Sequence, residues 1–437
     1  METEMMSAIT LFGAFFLLMF IGVPIAFAIG ISTVLTFTLF LTYDQSINNT
    51  AQQLASGLDT FTLLAVPFFI LAGNIMNRGG IALRLIELAK VLGGRLPGSL
   101  AHCNVLANMM FGSISGSAVA AAAAVGGVMA PLQKKEGYDP AFSAAVNIAS
   151  CPTGLLIPPS TTFIVFSLIS GGTSIAALFV AGYVPGILMG LGIMLVAGIV
   201  AKKRGYPVAP RPSWKEVIRK TGDALLPLGL IIVIMGGIIK GIFTPTEASA
   251  VAVVYTLLLA LVWYREISIR DLPGIMIDSA VTTSIVLLMV GCSIAMSRVM
   301  AFADIPYTIS DLLLSLSENP LVLLLIINIA LLVVGMFMDM TPALLIFTPI
   351  FLPVVKDLGM DPVHFGVMMT FNLCLGICTP PVGSALFVGC SVAKVSIARV
   401  LRPLLPMMAM QFAVLLLITY VPDLSLALPR LLLGYGG

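Results

Sequence analysis

Long apolar runs recur from end to end of the chain, separated by short polar punctuation, a pattern that predicts membrane-crossing helices rather than elements around a soluble core. Residues 8–42 hold two short apolar halves around Gly22-Val23-Pro24, and residues 225–263 hold two more around Phe243-Thr244-Pro245-Thr246-Glu247. Residues 42–59, with no Lys or Arg, read as an acidic or neutral loop. A span follows at 61–76, then an amphipathic basic stretch with Arg78, Arg84, Lys90 and Arg95 that suits a helix lying in the interface. Further apolar segments cover 97–131, 141–170, 174–201, 274–297, 320–353, 363–391 and 403–421, with a surface stretch at 303–318.

Part of this pattern occurs twice. Pro131, Lys134, Gly137, Asp139, Pro140, Gly154, Pro158 and Pro159 reappear 222 positions later, without a gap, as Pro353, Lys356, Gly359, Asp361, Pro362, Gly376, Pro380 and Pro381. Residue types with base rates near about 5–7% do not coincide eight times at one offset by chance, and Pro24 and Pro245 carry the duplication back almost to the N-terminus. Each copy places Gly-x-x-x-Pro-Pro inside an apolar segment, at 154–159 and 376–381. Successive prolines lack N–H donors and clash with the preceding turn, so both segments are expected to open there and leave carbonyls in search of partners.

Composition narrows the class further. Of 437 residues 59% are hydrophobic and 10% charged, against roughly 25% charged in soluble domains, so a polytopic all-α membrane protein is expected and a soluble fold is excluded. The net charge of +2 points to no nucleic acid or acidic partner. Met1 to Ser7 hold Glu2 and Glu4 but no basic residue, unlike a cleavable signal, so the first apolar run is expected to stay in the bilayer. Cys103, Cys151, Cys292, Cys374, Cys378 and Cys390 all sit in apolar segments without metal-ligand spacing, which reads as buried small hydrophobes and implies no disulfide framework.

Charge position then sets a topology. Lys and Arg flank both ends of segment 97–131, so it is expected to enter and leave on the cytoplasmic side as a re-entrant hairpin with its tip at 112–118. The broken helix 141–170 crosses outward, and 174–201 returns to the basic cluster Lys202, Lys203, Arg204, Arg211, Lys215, Arg219 and Lys220. This divides the chain into a first repeat at 1–201, a cytoplasmic linker at 202–221 and a second repeat at 222–437. The second repeat holds hairpin 320–353, entering from outside, and broken helix 363–391. Of 22 Lys and Arg, all but Lys240, Arg298, Lys356 and Arg430 then lie on or near the cytoplasmic side. Five crossings plus one hairpin per copy is an odd number of crossings, so the copies are expected to have inverted topology.

In inverted-repeat carriers, ligands sit near the midplane at hairpin tips and discontinuous helices. The first tip offers Ser113, Ser115, Gly116 and Ser117 opposite the 154–160 break. Hydroxyl and carbonyl oxygens suit a hard cation such as Na⁺, while helix N-termini suit a carboxylate; small residues that merely permit close packing are the plain alternative. The second tip carries Asp339 and Thr341 opposite 376–383, and a carboxylate so deep in the membrane binds a cation, carries a proton or braces the hairpin. Glu247, Asp139 and Asp361 read as helix caps. His102 and His364 read as interfacial or hydrogen-bonding residues, and Lys134 and Lys356 as interfacial anchors on opposite sides. Asn104, Asn108, Asn147 and Asn372 either extend a polar cavity or bond between helices. No P-loop, HExxH or spaced Cys/His set is present, so no enzyme activity is expected.

Several motifs together resemble a known family: Val66-Pro67-Phe68-Phe69-Ile70-Leu71-Ala72-Gly73, Phe111-Gly112-Ser113-Ile114-Ser115-Gly116-Ser117, the 131–140 loop, 154–160, Phe243 to Ala248, Asp339-Met340-Thr341-Pro342 and 376–383. Across essentially the whole chain the sequence resembles the large membrane subunit of tripartite ATP-independent periplasmic (TRAP) transporters, within the ion-transporter superfamily. The resemblance implies a secondary importer in the bacterial inner membrane. It would take an organic acid, of sialic acid or C4-dicarboxylate type, from a periplasmic substrate-binding protein and move it with Na⁺, alongside a small four-helix membrane subunit. With no extra helices before Ile9, the chain looks like the unfused form. Hairpins and broken helices would form an elevator-type transport domain against a scaffold. Carried over by position, Ser113, Ser115, Gly116, Gly154, Ile157 and Pro158 would line one cation site. Met338, Asp339, Thr341, Gly376, Thr379 and Pro380 would line its counterpart, with Ser115, Ser160 and Asp339 on the substrate side. The second tip departs from the Gly-Ser-x-Ser-Gly pattern of the first. Two other readings stay open: a stand-alone anion/Na⁺ symporter of the same superfamily, and a channel or membrane scaffold without coupled transport.

Overall fold

The computed structural model describes residues 2–94, 97–208, 213–317 and 319–436; the expected basic residues Arg95 and Arg211 lie outside these. Described residues form helices and connections without a strand. Helices α1 (Glu2–Phe20) and α2 (Ile25–Phe37) meet at Gly22, whose φ of +88° suits glycine, and at Pro24, which stands just before the first turn of α2. Helix α3 spans Tyr43–Leu58, α4 spans Ala65–Arg78 after a 3₁₀ turn at Phe61–Leu64, and α5 spans Ile81–Gly93. The first hairpin is α6 (Ser99–Ser115) and α7 (Ala118–Lys135). The first broken helix comprises α8 (Pro140–Ser150), α9 (Thr153–Leu156) and α10 (Thr161–Ile169), bent by 54° between Pro140–Leu156 and Thr161–Ile169. Helix α11 (Ile175–Arg204) closes this half.

The second half follows the same order: α12 (Trp214–Ile239) and α13 (Pro245–Leu257), the latter extended by a π turn at Leu258–Trp263, then α14 (Leu272–Phe302) and α15 (Ile305–Leu316). The second hairpin is α16 (Pro320–Phe337) and α17 (Met340–Asp357), the second broken helix α18 (Pro362–Gly376) and α19 (Ser384–Ala393), and α20 (Ile397–Tyr420) and α21 (Asp423–Leu433) end the chain. Helices starting at Ala118, Pro140 and Ile175 have partners starting at Met340, Pro362 and Ile397, each 222 positions on. Among the described residues eight helices are long and apolar enough to cross a membrane, and the bent pair adds a ninth. Exposed stripes at i, i+4 spacing, Leu191, Leu195 and Ile199 on α11 and Ile277, Val281 and Ile285 on α14, are what a lipid-facing helix presents.

Three features differ from the sequence expectation. Residues 42–59 are not a loop: Thr42 and Gln45 form a capping box, Ser46 and Thr50 donate back to Thr42 O and Ser46 O, and α3 packs on α14 with Gly57 against Ile294. The helix expected from 222 begins at Trp214, capped by Ser213, so much of the basic linker is helical. Helix α21, after the last expected span, packs against α11 and α18.

Buried polar groups pin the halves internally. Asn108 Nδ2 donates to Asn104 Oδ1 (3.0 Å), Asn147 Oδ1 (3.0 Å) and Ser150 Oγ (2.7 Å), and Asn147 Nδ2 donates to Ala122 O (2.8 Å). In the second half Asn372 Nδ2 donates to Asn328 O and Oδ1 (2.8 Å each), while Asn328 donates to Thr419 Oγ1 (3.2 Å). Each hairpin is thus tied to its broken helix, and Asn108, Asn147 and Asn372 bond between helices, as one of their two readings expected, whereas Asn104 bonds within α6. His102 Nε2 meets Pro97 O at 3.1 Å and His364 Nε2 meets Thr419 O at 3.3 Å. Asp139 and Asp361 cap α8 and α18, and Glu247 completes a capping box with Thr244. At the seam between halves, the thiols of Cys151 and Cys378 both donate to Ile148 O (3.3 and 3.1 Å), and Gln411 donates to Ala149 O (2.8 Å). All six cysteines are free and buried.

Candidate functional site

Each break crosses its hairpin glycine on glycine. A Cβ on Gly154 would lie 2.2 Å from Gly112 C, and one on Gly376 would lie 2.5 Å from Gly335 Cα. Only backbones without side chains approach this closely. The proline pairs lie in the interruptions that follow, both with cis peptide bonds, Pro158–Pro159 and Pro380–Pro381.

The two breaks are then satisfied differently. In the first, Ser160 is fully buried and its hydroxyl donates to Leu155 O. In the second, Ile377 O accepts from Ala385 N (3.1 Å), and the N–H groups of Val382 and Gly383 reach Met336 O (3.3 Å each), joining the break to α16.

The first tip turns at Gly116 (φ +62°), and Ser117 caps α7 by accepting from Ala120 N at 3.2 Å. Ser113 is buried and donates to Met110 O at 2.9 Å. The second tip is the extended pair Met338 and Asp339. Met338 is buried, whereas the exposed Asp339 accepts from Ser384 Oγ at 3.1 Å.

Both tips line one cleft of about 370 Å³. Of the residues expected from sequence, it gathers Ser115, Gly116, Ser117, Asp339 and Thr341. Ser113, Gly154, Ile157, Pro158, Ser160, Met338, Gly376, Thr379 and Pro380 are not on its wall: they form the glycine crossings, breaks and tip cores behind it. Thr379 is buried and donates to Leu375 O at 2.7 Å.

Sequence reasoning missed the opposite wall, built by Asn74 and Asn77 of α4, Thr282 of α14, and Thr161 and Thr162 of α10. Two amides three residues apart on one face of an apolar span were the available signal. Asn74 Nδ2 donates to Ser279 Oγ at 2.8 Å, tying α4 to α14. Gly73 brings α4 against the first tip, a Cβ there lying 3.2 Å from Ser115 O. Thr162 donates to Met340 Sδ at 3.4 Å, a contact from the first break to the second tip.

The cleft's donor set consists of hydroxyls, amides, backbone groups and one carboxylate; among its described lining residues none is Lys, Arg or His. Oxygen ligands of this kind fit a hard monovalent cation better than a soft transition metal.

Residues 12–424 match the family described as "Tripartite ATP-independent periplasmic transporter, DctM component". The chain is 60% identical over 423 residues to the uncharacterized protein YgiK of Salmonella typhimurium, covering 97% of each. It is 41% identical to the sialic acid TRAP transporter large permease protein SiaM of Vibrio cholerae, covering 96% of this chain and 97% of that one. In fold it is similar to the crystal structure of the Alcanivorax borkumensis YdaH transporter, with a TM-score of 0.65, 13% identity, and coverage of 91% of this chain and 90% of that one.

Proposed function

The chain belongs to the DctM family of tripartite ATP-independent periplasmic transporters, a transport component rather than an enzyme, and on that premise we propose that it imports an organic acid together with Na⁺. The observation that carries the reading is the charge of the cleft. Asp339 is its one charged lining residue among those described. An organic anion about 4 Å from that carboxylate, at an effective dielectric near 20, would be repelled by about 4 kcal/mol. A bound cation removes the conflict, which couples anion entry to cation binding.

In this mechanism Asp339, Thr341 and backbone oxygens of the second tip hold one cation, and Ser115 with Gly116 offers oxygens for another at the first. The anion lies between the tips, its carboxylate toward the first turns of α7 and α10. Its remaining polar groups meet Asn77, Thr282 and Thr161. The two halves lie in opposite orientations in the bacterial inner membrane, and the hairpins with their broken helices move as one body past α4 and α14. A small four-helix membrane subunit completes the membrane part, and a periplasmic binding protein delivers the substrate. Sialic acid is the first substrate to try, since SiaM carries that name.

The deciding experiment reconstitutes the chain with its small subunit and binding protein and measures uptake of radiolabelled sialic acid and of succinate. Uptake of either that needs an inward Na⁺ gradient supports the proposal. Equal uptake with K⁺ replacing Na⁺ overturns the coupling, and uptake without the binding protein favours the stand-alone symporter. Orientation is tested separately: a Cys introduced beside Lys356 should react with an impermeant maleimide from outside, and one beside Lys134 should not.

A further inference from the structure

Asp339 occupies the N-cap position of α17 in the extended conformation that capping uses (φ −69°, ψ 161°), yet its carboxylate makes no bond to its own helix. Two other aspartates in equivalent positions do. Asp139 accepts from Ala141 N at 3.1 Å, and Asp361 accepts from Val363 N and His364 N at 2.7 and 3.3 Å. Ser117, which stands 222 positions before Asp339, also caps. What sets Asp339 apart is Ser384 Oγ, which donates to its Oδ1 at 3.1 Å.

Ser384 is held in place by backbone rather than by side chains. It opens α19 directly after Gly383, where a Cβ would lie 2.8 Å from Thr379 O and 2.9 Å from Ile377 O, so this approach admits no side chain. The Gly383 N–H is bonded to Met336 O, three residues before Asp339 on the arm that leads into the tip. Ser384 is absent from the cleft wall that Asp339 lines. The hydroxyl therefore meets the carboxylate without itself lining the cleft.

We propose that Ser384 is a positioning residue: it draws the Asp339 carboxylate away from helix capping and holds it at the cleft wall for a monovalent hard cation. The inference rests on the cation-coupled reading above and adds a residue to it. Without the hydroxyl, the carboxylate returns to the unsatisfied N–H groups at the start of α17, and its oxygens turn from the cleft.

The test needs no knowledge of the organic substrate. The purified full-length chain, in complex with its small subunit, is titrated with NaCl against KCl at constant ionic strength while thermal unfolding is followed. A cation that binds the folded state raises the unfolding temperature with its concentration. For Ser384→Ala the half-effective Na⁺ concentration is expected to rise about tenfold, with the unfolding temperature in KCl alone unchanged. Ser384→Thr, which keeps the hydroxyl, restores the wild-type titration. In an Asp339→Asn background, Ser384→Ala adds no further shift.

A Ser384→Ala titration that superimposes on wild type overturns the inference. So does a drop in unfolding temperature of equal size in NaCl and KCl, which marks a merely structural role. If wild type itself shows no Na⁺-specific rise, the coupled reading falls and this inference with it, so the two failures are told apart by the wild-type curve.

Discussion

The two hairpin tips stand at the same offset of the duplication but differ in backbone and in chemistry, a left-handed turn at Gly116 in the first and an extended pair, Met338 and Asp339, in the second. The first is neutral and closed on itself: Gly116 makes the turn and Ser117 caps the helix that follows. The second is charged and open: Met338 is buried, Asp339 leaves its own helix uncapped, and its oxygen is bonded to Ser384 of the second break. A duplicated backbone thus supplies two positions, and side chains then give one a dipolar character and the other a formal charge.

The comparison breaks first where the two halves are most alike. Gly154→Ala and Gly376→Ala each force a methyl into backbone, at 2.2 Å from Gly112 C and 2.5 Å from Gly335 Cα. Each is expected to cost more than about 4 kcal/mol and to abolish uptake. Gly335→Ala, whose Cβ would lie 3.0 Å from Gly376 Cα, should be milder. Thermal unfolding in detergent ranks the three, and equal losses would show that the crossings yield.

The next effect is where the tips differ. Asp339→Asn should reduce Na⁺-driven uptake at least about a hundredfold while leaving insertion intact, since charge-assisted contacts are worth more than neutral ones. Ser115→Ala should reduce it about tenfold. Ser117→Ala removes a hydroxyl that lines the cleft but is engaged in capping α7, at about 1 kcal/mol of stability, and should shift the Na⁺ dependence far less than Asp339→Asn. Uptake in proteoliposomes at graded Na⁺ separates the three, and a Ser117→Ala loss as deep as that of Asp339→Asn would erase the distinction.

Smaller changes follow for the asparagine locks. Asn108→Ala and Asn372→Ala each leave buried partners unpaired, at about 1–3 kcal/mol. Both should lower the unfolding temperature by similar amounts, because each half has its own lock. The smallest effect lies at the basic surface, where Glu87 of α5 pairs with Lys90 and with Lys220 of α12 (3.0 Å). Partial burial pushes the Glu87 carboxyl up, but the two lysines outweigh it and hold the group below its ordinary value of 4.5. Its support of the α5–α12 contact is therefore present above pH 4.5 and is lost as pH falls through the lower folded-state value. Hydrogen exchange in α5 should rise only in that acid range, and Glu87→Gln should remove the pH dependence.

Much of the fold was legible because the strongest signals were backbone signals. Proline pairs, a turn glycine and Asp-Pro caps mark breaks and helix starts whatever surrounds them: the structure interrupts its helices at both proline pairs, turns at Gly116, and starts α8 and α18 at the Asp-Pro steps. Helix α3 escaped because it is polar and lacks the apolar period by which the other helices were found; its capping box is a weaker, local cue. The glycine-glycine crossings were visible only as glycines. The α4 and α14 wall of the cleft escaped because Asn77 and Thr282 are more than 200 positions apart and meet only through packing. The two locks use Asn108 and Asn147 in one half and Asn328 and Asn372 in the other, so no shared offset announced them.

The thiols at the seam have a practical consequence. Cys151 and Cys378 come from different halves and share Ile148 O, in a place that solvent does not reach. A fluorogenic maleimide added to the wild-type protein would stay dark while its six free thiols remain buried, and its signal on heating would report their exposure, at this seam or elsewhere, without any engineered label. The same silence leaves a clean background for single cysteines placed at either tip, so accessibility can be mapped without first replacing the native sulfurs.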